Sequence, residues 1–71
     1  MKIIFDSNDI RFIHMPFDLG TFLEIRSEGE YYRGLLKEVA HSEDRFSIIQ
    51  YNGETIWFYY SFVECMQVSN K

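Results

Sequence analysis

Apolar and polar residues alternate with a period of two along most of this chain, which is the pattern of half-buried β-strands. In 21–27, for example, Leu23 and Ile25 are separated by Glu24 and Arg26. Further short strands are predicted over 2–5, 10–15, 31–39, 46–51, 55–60 and 64–68. Short strands in this number, with one tight helical turn near 61–63, predict an all-β fold of five to seven strands.

Two glycines set the expected shape of the sheet. Gly29 lies in a short polar link between two strand patterns, where its freedom to take a positive φ suits a tight hairpin turn. Gly34 falls inside the next strand, where a glycine marks a bend, a bulge or the close approach of another backbone. A bulge near Gly34 or Glu38 would also bring Leu36 and Val39 to the same inner face. We therefore expect a strongly bent antiparallel barrel.

A second hairpin is predicted at Asn52-Gly53, because both residues readily adopt the left-handed conformation of a type I′ turn. The strand that follows, Thr55 to Tyr60, is apolar on both faces. One face is expected to join the core, and the other to lie under another element, at an interface or in a ligand groove.

The length of 71 residues predicts one domain, which we divide into an N-terminal hairpin at 1–15 and a barrel core at 20–68. A domain this small needs a dense core. Seven Phe, five Tyr and one Trp provide it, because aromatic side chains bury large areas.

Cellular setting is indicated by two absences from the sequence. Cys65 is the only cysteine, so no intramolecular disulfide can form and a reduced, cytoplasmic location is expected. No apolar stretch approaches the length of a membrane span, and we expect no membrane partner.

The segment from Leu23 to Leu36 resembles the first half of an Sm-like domain. The family pattern is a hydrophobic strand, a turn glycine, a second glycine five residues later and then x-Leu, which Gly29, Gly34 and Leu36 match. The closing segments 56–58 and 63–68 are similar to the end of YolD-like proteins, small bacterial and phage proteins proposed to share this barrel. Barrels of Src-homology-3 or Tudor type show a comparable pattern. The resemblance implies a small Sm-like or Src-homology-3-like barrel.

The base-binding residues of Sm-like proteins are replaced in this chain. Sm-like proteins carry an Asp after the glycine-x-Leu element and an Asn in the next loop, whereas this strand ends in Val39-Ala40-His41-Ser42. Their second motif is replaced by Tyr59-Tyr60-Ser61. The resemblance therefore implies the barrel and not the uridine pocket, and fold alone does not assign a function.

The excess of aromatic residues is the main functional signal. A small barrel cannot enclose all thirteen rings, so some are expected near the surface, where Tyr and Trp are frequent interface anchors. We predict a non-enzymatic module, a small bacterial or phage regulator, that docks a protein partner through Tyr32, Trp57, Tyr59 and Tyr60.

Binding of single-stranded RNA or DNA is the alternative. Bases would stack on exposed aromatic rings while Arg26, Arg33 and Lys37 neutralise phosphates. The net charge of −4 argues mildly against this and suits a basic protein surface. A homo-oligomeric ring, paired through the edge strand Ile56 to Tyr60, is a further interpretation.

Catalytic chemistry has little support in the sequence. No phosphate loop, nucleophile elbow or paired carboxylate motif is present, and no catalytic, cofactor or metal residue is assigned. His41 beside Glu43 and Asp44 fits a solvated loop better than a metal site. Cys65 lies in a strand pattern, where a free cysteine ordinarily acts as a small buried hydrophobe.

Overall fold

The fold is a single antiparallel sheet of six strands. A computed structural model describes residues 15–69 and the backbone of residues 4–6. The strands are β1 (Ile4–Asp6), β2 (Phe22–Ser27), β3 (Glu30–Ala40), β4 (Arg45–Gln50), β5 (Thr55–Tyr59) and β6 (Val63–Val68). Two single 3₁₀ turns, His41–Glu43 and Tyr60–Phe62, are the helical elements of the described residues. The predicted all-β fold is confirmed.

The order of the strands requires the sheet to be rolled. Neighbouring strands run β1-β6-β2-β3-β4-β5, so β5 and β6 are four positions apart. In a flat sheet β5 and β6 would lie roughly 19 Å apart at the usual strand spacing. Only three residues, Tyr60–Phe62, link the two strands, and a 3₁₀ turn advances about 2 Å per residue. The sheet must therefore curl until the end of β5 lies beside the start of β6.

The β2–β3 hairpin closes through a two-residue turn. Ser27 pairs with Glu30, and the two residues between them, Glu28 and Gly29, have φ of 53° and 81°. Two positive φ values at the centre are what a type I′ turn requires, and its twist matches that of the strands it joins. The predicted role of Gly29 is confirmed.

Close backbone packing explains Gly34. A Cβ atom at this position would lie 2.4 Å from the carbonyl oxygen of Ile49 on β4. Two residues later the β3–β4 register shifts between Leu36 and Glu38, which marks a bulge at Lys37. The bulge and the close approach both follow the prediction, and together they bend β3 around the core.

The second hairpin differs from its prediction. Gly53 has a φ of 91°, but Asn52 is not left-handed, so the turn is not type I′. The Gly53 N–H donates to the Gln50 carbonyl at 2.9 Å, and the Gln50 N–H donates to the Glu54 carbonyl at 2.8 Å. These bonds define a three-residue loop, residues 51–53, in which the left-handed Gly53 is the last residue of a four-residue turn. The Asn52 side chain accepts the Glu54 N–H at 3.0 Å and stabilises this form.

The core is built from the inward faces of β2 to β6. Its buried residues are Leu23, Ile25, Leu36, Phe46, Ile48, Phe58, Tyr60, Val63 and Met66. Phe46 lies at its centre, with ring centroids 5.4 Å from Phe58 and 5.2 Å from Tyr60. Val39, expected on the inner face, is partly buried against this core, and so is Val68.

The predicted N-terminal hairpin is only partly described. The backbone of β1 pairs antiparallel with β6, from Ile4 opposite Gln67 to Asp6 opposite Cys65. Of the turn expected at 6–9, Asp6 is the last residue of β1, and 7–9 lie outside the described residues, as do 10–14 of the expected second strand.

Candidate partner-binding groove

An open groove of about 270 Å³ lies between β5 and the β2–β3 turn. It is lined by Ser27, Glu28, Tyr32, Ile56, Trp57, Phe58, Tyr59 and Phe62. Three of the four aromatic residues predicted to dock a partner, Tyr32, Trp57 and Tyr59, therefore lie in one groove. Two strands, a hairpin turn and a 3₁₀ turn bring them together.

Ring contacts hold the aromatic walls in place. Tyr32 is half-buried and packs edge-to-face on Phe58 with centroids 5.0 Å apart. Phe62 meets Tyr59 edge-to-face, with ring centroids 6.4 Å apart. The Ser27 hydroxyl donates to the Phe62 carbonyl at 2.8 Å, which ties the 3₁₀ turn to the end of β2. The groove is therefore preorganised by contacts among its own residues.

The Trp57 ring is positioned by a basic side chain. The Arg45 guanidinium lies 4.2 Å from the Trp57 ring centroid, within the range of a cation–π interaction. The Nε atom of Arg45 also donates to Glu43 at 2.5 Å. Arg45 therefore links the loop before β4 to Trp57, which keeps 37% of its surface exposed.

Tyr60 departs from the predicted docking set. Only 6% of its surface is exposed, and its ring packs against Phe46 in the core. The chain leaves the β5 ladder after Tyr59 and enters the 3₁₀ turn, whose only buried residue is Tyr60. Phe62, which was not predicted, reaches the surface instead and is 54% exposed.

Burial raises the pKa of the Tyr60 hydroxyl above its usual value near 10, and the charge of Asp44 acts in the same direction. The folded protein thus holds this proton more tightly than the unfolded chain, so the free energy of unfolding falls as the pH rises above about 10. We expect the free energy of unfolding of Tyr60→Phe, measured by urea titration at successive pH values, to fall less steeply with pH than that of the wild type. The matched control, Tyr51→Phe, changes a fully exposed ring and should keep the wild-type slope. Equal dependence of the unfolding free energy on pH for Tyr60→Phe and wild type would contradict the raised pKa of Tyr60.

The three basic residues of the alternative hypothesis do not form one free patch. Arg26 lies 3.4 Å from Glu64, and Arg33 lies 3.7 Å from Glu24. Lys37, at the bulge, donates to the Thr55 hydroxyl at 3.2 Å. Such exposed ion pairs add little stability, but their carboxylates lower the positive potential available to a phosphate.

The groove itself carries a negative charge. Glu28 is its one charged lining residue, on the turn wall opposite β5. Nearby, Glu64 accepts the Gly29 N–H at 3.2 Å, but its charge is offset by Arg26 at 3.4 Å, so Glu28 supplies the net charge of this wall. The charge of this wall favours basic ligands.

A second apolar depression lies on the outer face of the sheet. It is lined by Phe22, Leu35, Ile49, Gln50 and Tyr51, and is separate from the groove. Leu35 is 44% exposed between Arg33 and Lys37 on β3. None of the predicted aromatic docking residues belongs to it.

The residues considered for chemistry lie apart from the groove. Cys65 is a free, half-buried cysteine on β6, and His41 is exposed at the start of its 3₁₀ turn. Among residues 15–69, no group of three His, Cys, Asp or Glu side chains is placed to hold a metal ion. His14 lies outside the described residues.

No helix within the described residues is long and apolar enough to cross a membrane.

Two residues that line the groove, Glu28 and Phe62, were not among the predicted partner-binding residues, although their positions in the sequence pointed to them. Glu28 precedes the turn glycine, and Phe62 follows the doubly apolar strand by two positions. The sequence predicts a tight turn after β5 but not the residue at which that turn begins. The starting residue decides which of Tyr60 and Phe62 faces outward.

Comparison with known proteins gives no match. No protein-family model, no curated protein and no solved structure matches this chain.

Proposed function

We propose that this protein is a non-enzymatic binding module that docks a protein partner in the aromatic groove. The supporting observation is the convergence of Tyr32, Trp57, Tyr59 and Phe62 on one open groove. Tyr59 and Phe62 are about half exposed, and large apolar side chains exposed together in one patch mark interaction sites, whereas single exposed ones do not. Aromatic residues that line a concave surface are the usual anchors of protein interfaces.

The charge of the chain supports a basic partner surface. The net charge is −4, and Glu28 lies in the groove wall. Complementary charge raises the association rate and excludes acidic partners more than it adds affinity. The aromatic rings are then expected to supply most of the binding free energy.

We further propose a bacterial or phage regulatory role in the cytoplasm. The support is the resemblance of Gly29, Gly34 and Leu36 to the Sm-like pattern, the similarity of the closing segment to YolD-like proteins, and the single cysteine. We propose no enzymatic activity, because the sequence has no phosphate loop, nucleophile elbow or paired carboxylate motif.

Nucleic-acid binding, alone or as a homo-oligomeric ring, is the second proposal. Arg26 and Arg33 each lie beside a carboxylate, which counts against it. Arg33→Glu with Lys37→Glu should abolish nucleic-acid binding and leave partner binding through the groove intact. Purification without nuclease, followed by size-exclusion chromatography with light scattering and absorbance at two wavelengths, separates the proposals. A nuclease-sensitive nucleic-acid signal on a large assembly would favour the second.

Tyr59→Ala is expected to weaken partner binding by about 2 kcal/mol, or roughly 30-fold in Kd, as for an interface hot spot. A partner is first isolated by affinity purification on the wild-type protein, and its Kd is then measured by calorimetry. The matched control is Tyr51→Ala, because Tyr51 is fully exposed and lies outside the groove. The wild-type Kd should change little with added salt, whereas nucleic-acid binding weakens steeply. Equal Kd values for Tyr59→Ala and Tyr51→Ala would remove the groove from the interface.

A further inference from the structure

The free backbone groups of β5 can be identified from two hydrogen bonds that bracket the strand. At one end the Gln50 N–H donates to the Glu54 carbonyl at 2.8 Å, and at the other the Tyr60 N–H donates to the Asp44 carbonyl at 3.0 Å. Opposite residues of an antiparallel pair alternate between bonded and non-bonded positions. With the register of β4 on β5, Ile56 and Phe58 occupy bonded positions facing β4.

The residues that alternate with Ile56 and Phe58 along β5 face the other way. Thr55, Trp57 and Tyr59 therefore direct their backbone N–H and C=O groups away from β4. Since β5 is the last strand of the sheet, these groups meet no further strand among the described residues. They form an open edge with donors and acceptors at every second residue.

The groove runs along this open edge. Its lining includes four consecutive residues of β5, from Ile56 to Tyr59. Successive side chains of a strand point to opposite faces, so a groove on one face would contact only every second residue. Contact with all four places the groove beside the backbone of β5. Tyr32, Phe62 and the Ser27-Glu28 turn form the wall across from it.

This edge lacks the features that usually protect an exposed strand. Natural edge strands carry charged residues, prolines or bulges that prevent pairing with other chains. The five residues of β5, Thr-Ile-Trp-Phe-Tyr, include no charge and no proline, and their register on β4 is uninterrupted. The edge is therefore able to accept another strand.

A second copy of this chain is a poor fit as the occupant in a head-to-tail ring. Such a ring would pair β5 of one copy with the other edge strand of the next, which among the described strands is β1. β1 has only three residues, Ile4–Asp6, against the five of β5, Thr55–Tyr59. Pairing with β1 would therefore leave part of the β5 edge uncovered.

We propose that the groove binds an extended segment of a partner protein as an added strand on β5, with a Lys or Arg of that segment beside Glu28. This rests on the proposed partner-binding function and specifies its form. Backbone hydrogen bonds to Trp57 and Tyr59 hold the segment, and its apolar side chains pack on Tyr32 and Phe62. Strand addition to a sheet edge takes affinity from main-chain bonds and specificity from the side-chain pockets beside it. The negative charge of Glu28 selects the basic residue.

Hydrogen exchange of the free protein tests the open edge. We expect the amides of Trp57 and Tyr59 to exchange at least tenfold faster than those of Ile56 and Phe58, measured by NMR on a monomer verified by light scattering. Equal protection of all four amides in the monomer would show that the edge is covered within the chain and would overturn the proposal. Protection of Trp57 and Tyr59 that appears only at high protein concentration would identify a second copy as occupant and would also overturn it.

Selection from a displayed library of random nine-residue peptides tests the occupant. We expect the selected peptides to alternate apolar residues and to contain Lys or Arg. Binding of the best one should protect the Trp57 and Tyr59 amides and weaken at least tenfold when its alternate backbone nitrogens are methylated. Glu28→Lys should weaken it at least tenfold, whereas Glu54→Lys, an equal charge reversal at the other hairpin, should not.

The outcomes separate this inference from the proposed function. A selected peptide that depends on Tyr59 but tolerates methylation in both alternating patterns overturns strand addition and leaves a side-chain-binding groove. A peptide that prefers the Glu28→Lys variant overturns the basic occupant. A library that yields no peptide dependent on Tyr59 or Phe62 contradicts the strand-addition site and the groove together.

Discussion

Gly34→Ala is expected to lower the free energy of unfolding by about 3 kcal/mol, at the upper end of the cost of overpacking a core. The added methyl would lie 2.4 Å from the Ile49 carbonyl oxygen, 3.0 Å from its carbonyl carbon and 3.2 Å from the Gln50 Cα. All three atoms belong to the backbone of β4, so no side-chain rotation can relieve the contact. The β3–β4 ladder has to open to admit the methyl group.

The measurement is urea or thermal unfolding followed by circular dichroism. For a domain of this size, 3 kcal/mol corresponds to a drop in Tm on the order of 15 °C. A domain of 71 residues has a total stability of only about 4–10 kcal/mol, so part of the variant could already be unfolded at room temperature.

Gly53→Ala is the matched control for Gly34→Ala. Gly53 has a φ of 91°, and a Cβ atom there would have no neighbour within 4 Å. Its substitution therefore tests backbone strain without a clash, with an expected cost of about 1–2 kcal/mol. Gly53→Asn should recover part of this cost, because Asn tolerates the left-handed region. If Gly34→Ala were no more destabilising than Gly53→Ala, the close approach of β3 to β4 would be wrong.

The two hairpins show how far local sequence determines a turn. Gly29 was expected in a tight turn, and the turn is there, but its partner Glu28 also has a positive φ that Glu rarely adopts. Asn52-Gly53 is the stronger local signal for a type I′ turn, yet only Gly53 is left-handed. The register of Ile48 opposite Ile56, which buries Ile48 in the core, fixes the number of residues left for the loop. Long-range packing therefore selects the turn type.

The alternation that predicted the strands also contained the information about Tyr60. Ile56, Phe58 and Tyr60 share one parity, and Trp57 and Tyr59 share the other. Once Phe58 is known to be in the core, the first set points inward and the second outward, as observed. The sequence alone could not choose between the two faces, because both are apolar. Only the pairing of Phe46 with Phe58 shows which face is covered.

The basic residues illustrate a different limit. Arg33 and Lys37 share a strand parity, which suggested a common phosphate-binding surface. The sequence does not show which residues lie opposite them on neighbouring strands. The β2–β3 register places Glu24 directly opposite Arg33, and Lys37 falls on a bulge beside Thr55. Partners across strands depend on register, which cannot be read from composition.

Phe46→Ala is expected to remove about 3–5 kcal/mol of stability, the usual cost of truncating a buried Phe. Phe46 is fully buried and packs against both Phe58 and Tyr60, so its loss leaves a cavity at the centre of the core. This is comparable to the whole stability of a 71-residue domain. The variant should show no cooperative unfolding transition by circular dichroism, or a strongly lowered one.

Phe62→Ala removes the same side chain from a position that is 54% exposed, and it separates folding from binding. Its expected stability cost is about 1 kcal/mol, well below that of Phe46→Ala, because less than half of the side chain is buried and the Ser27 bond goes to the main chain of Phe62. Its partner affinity should nevertheless fall, since the ring forms one wall of the groove. If Phe62→Ala unfolded the protein as Phe46→Ala does, the ring would belong to the core and the groove would lose that wall. If it changed neither stability nor affinity, β5 and Tyr32 alone would have to form the interface.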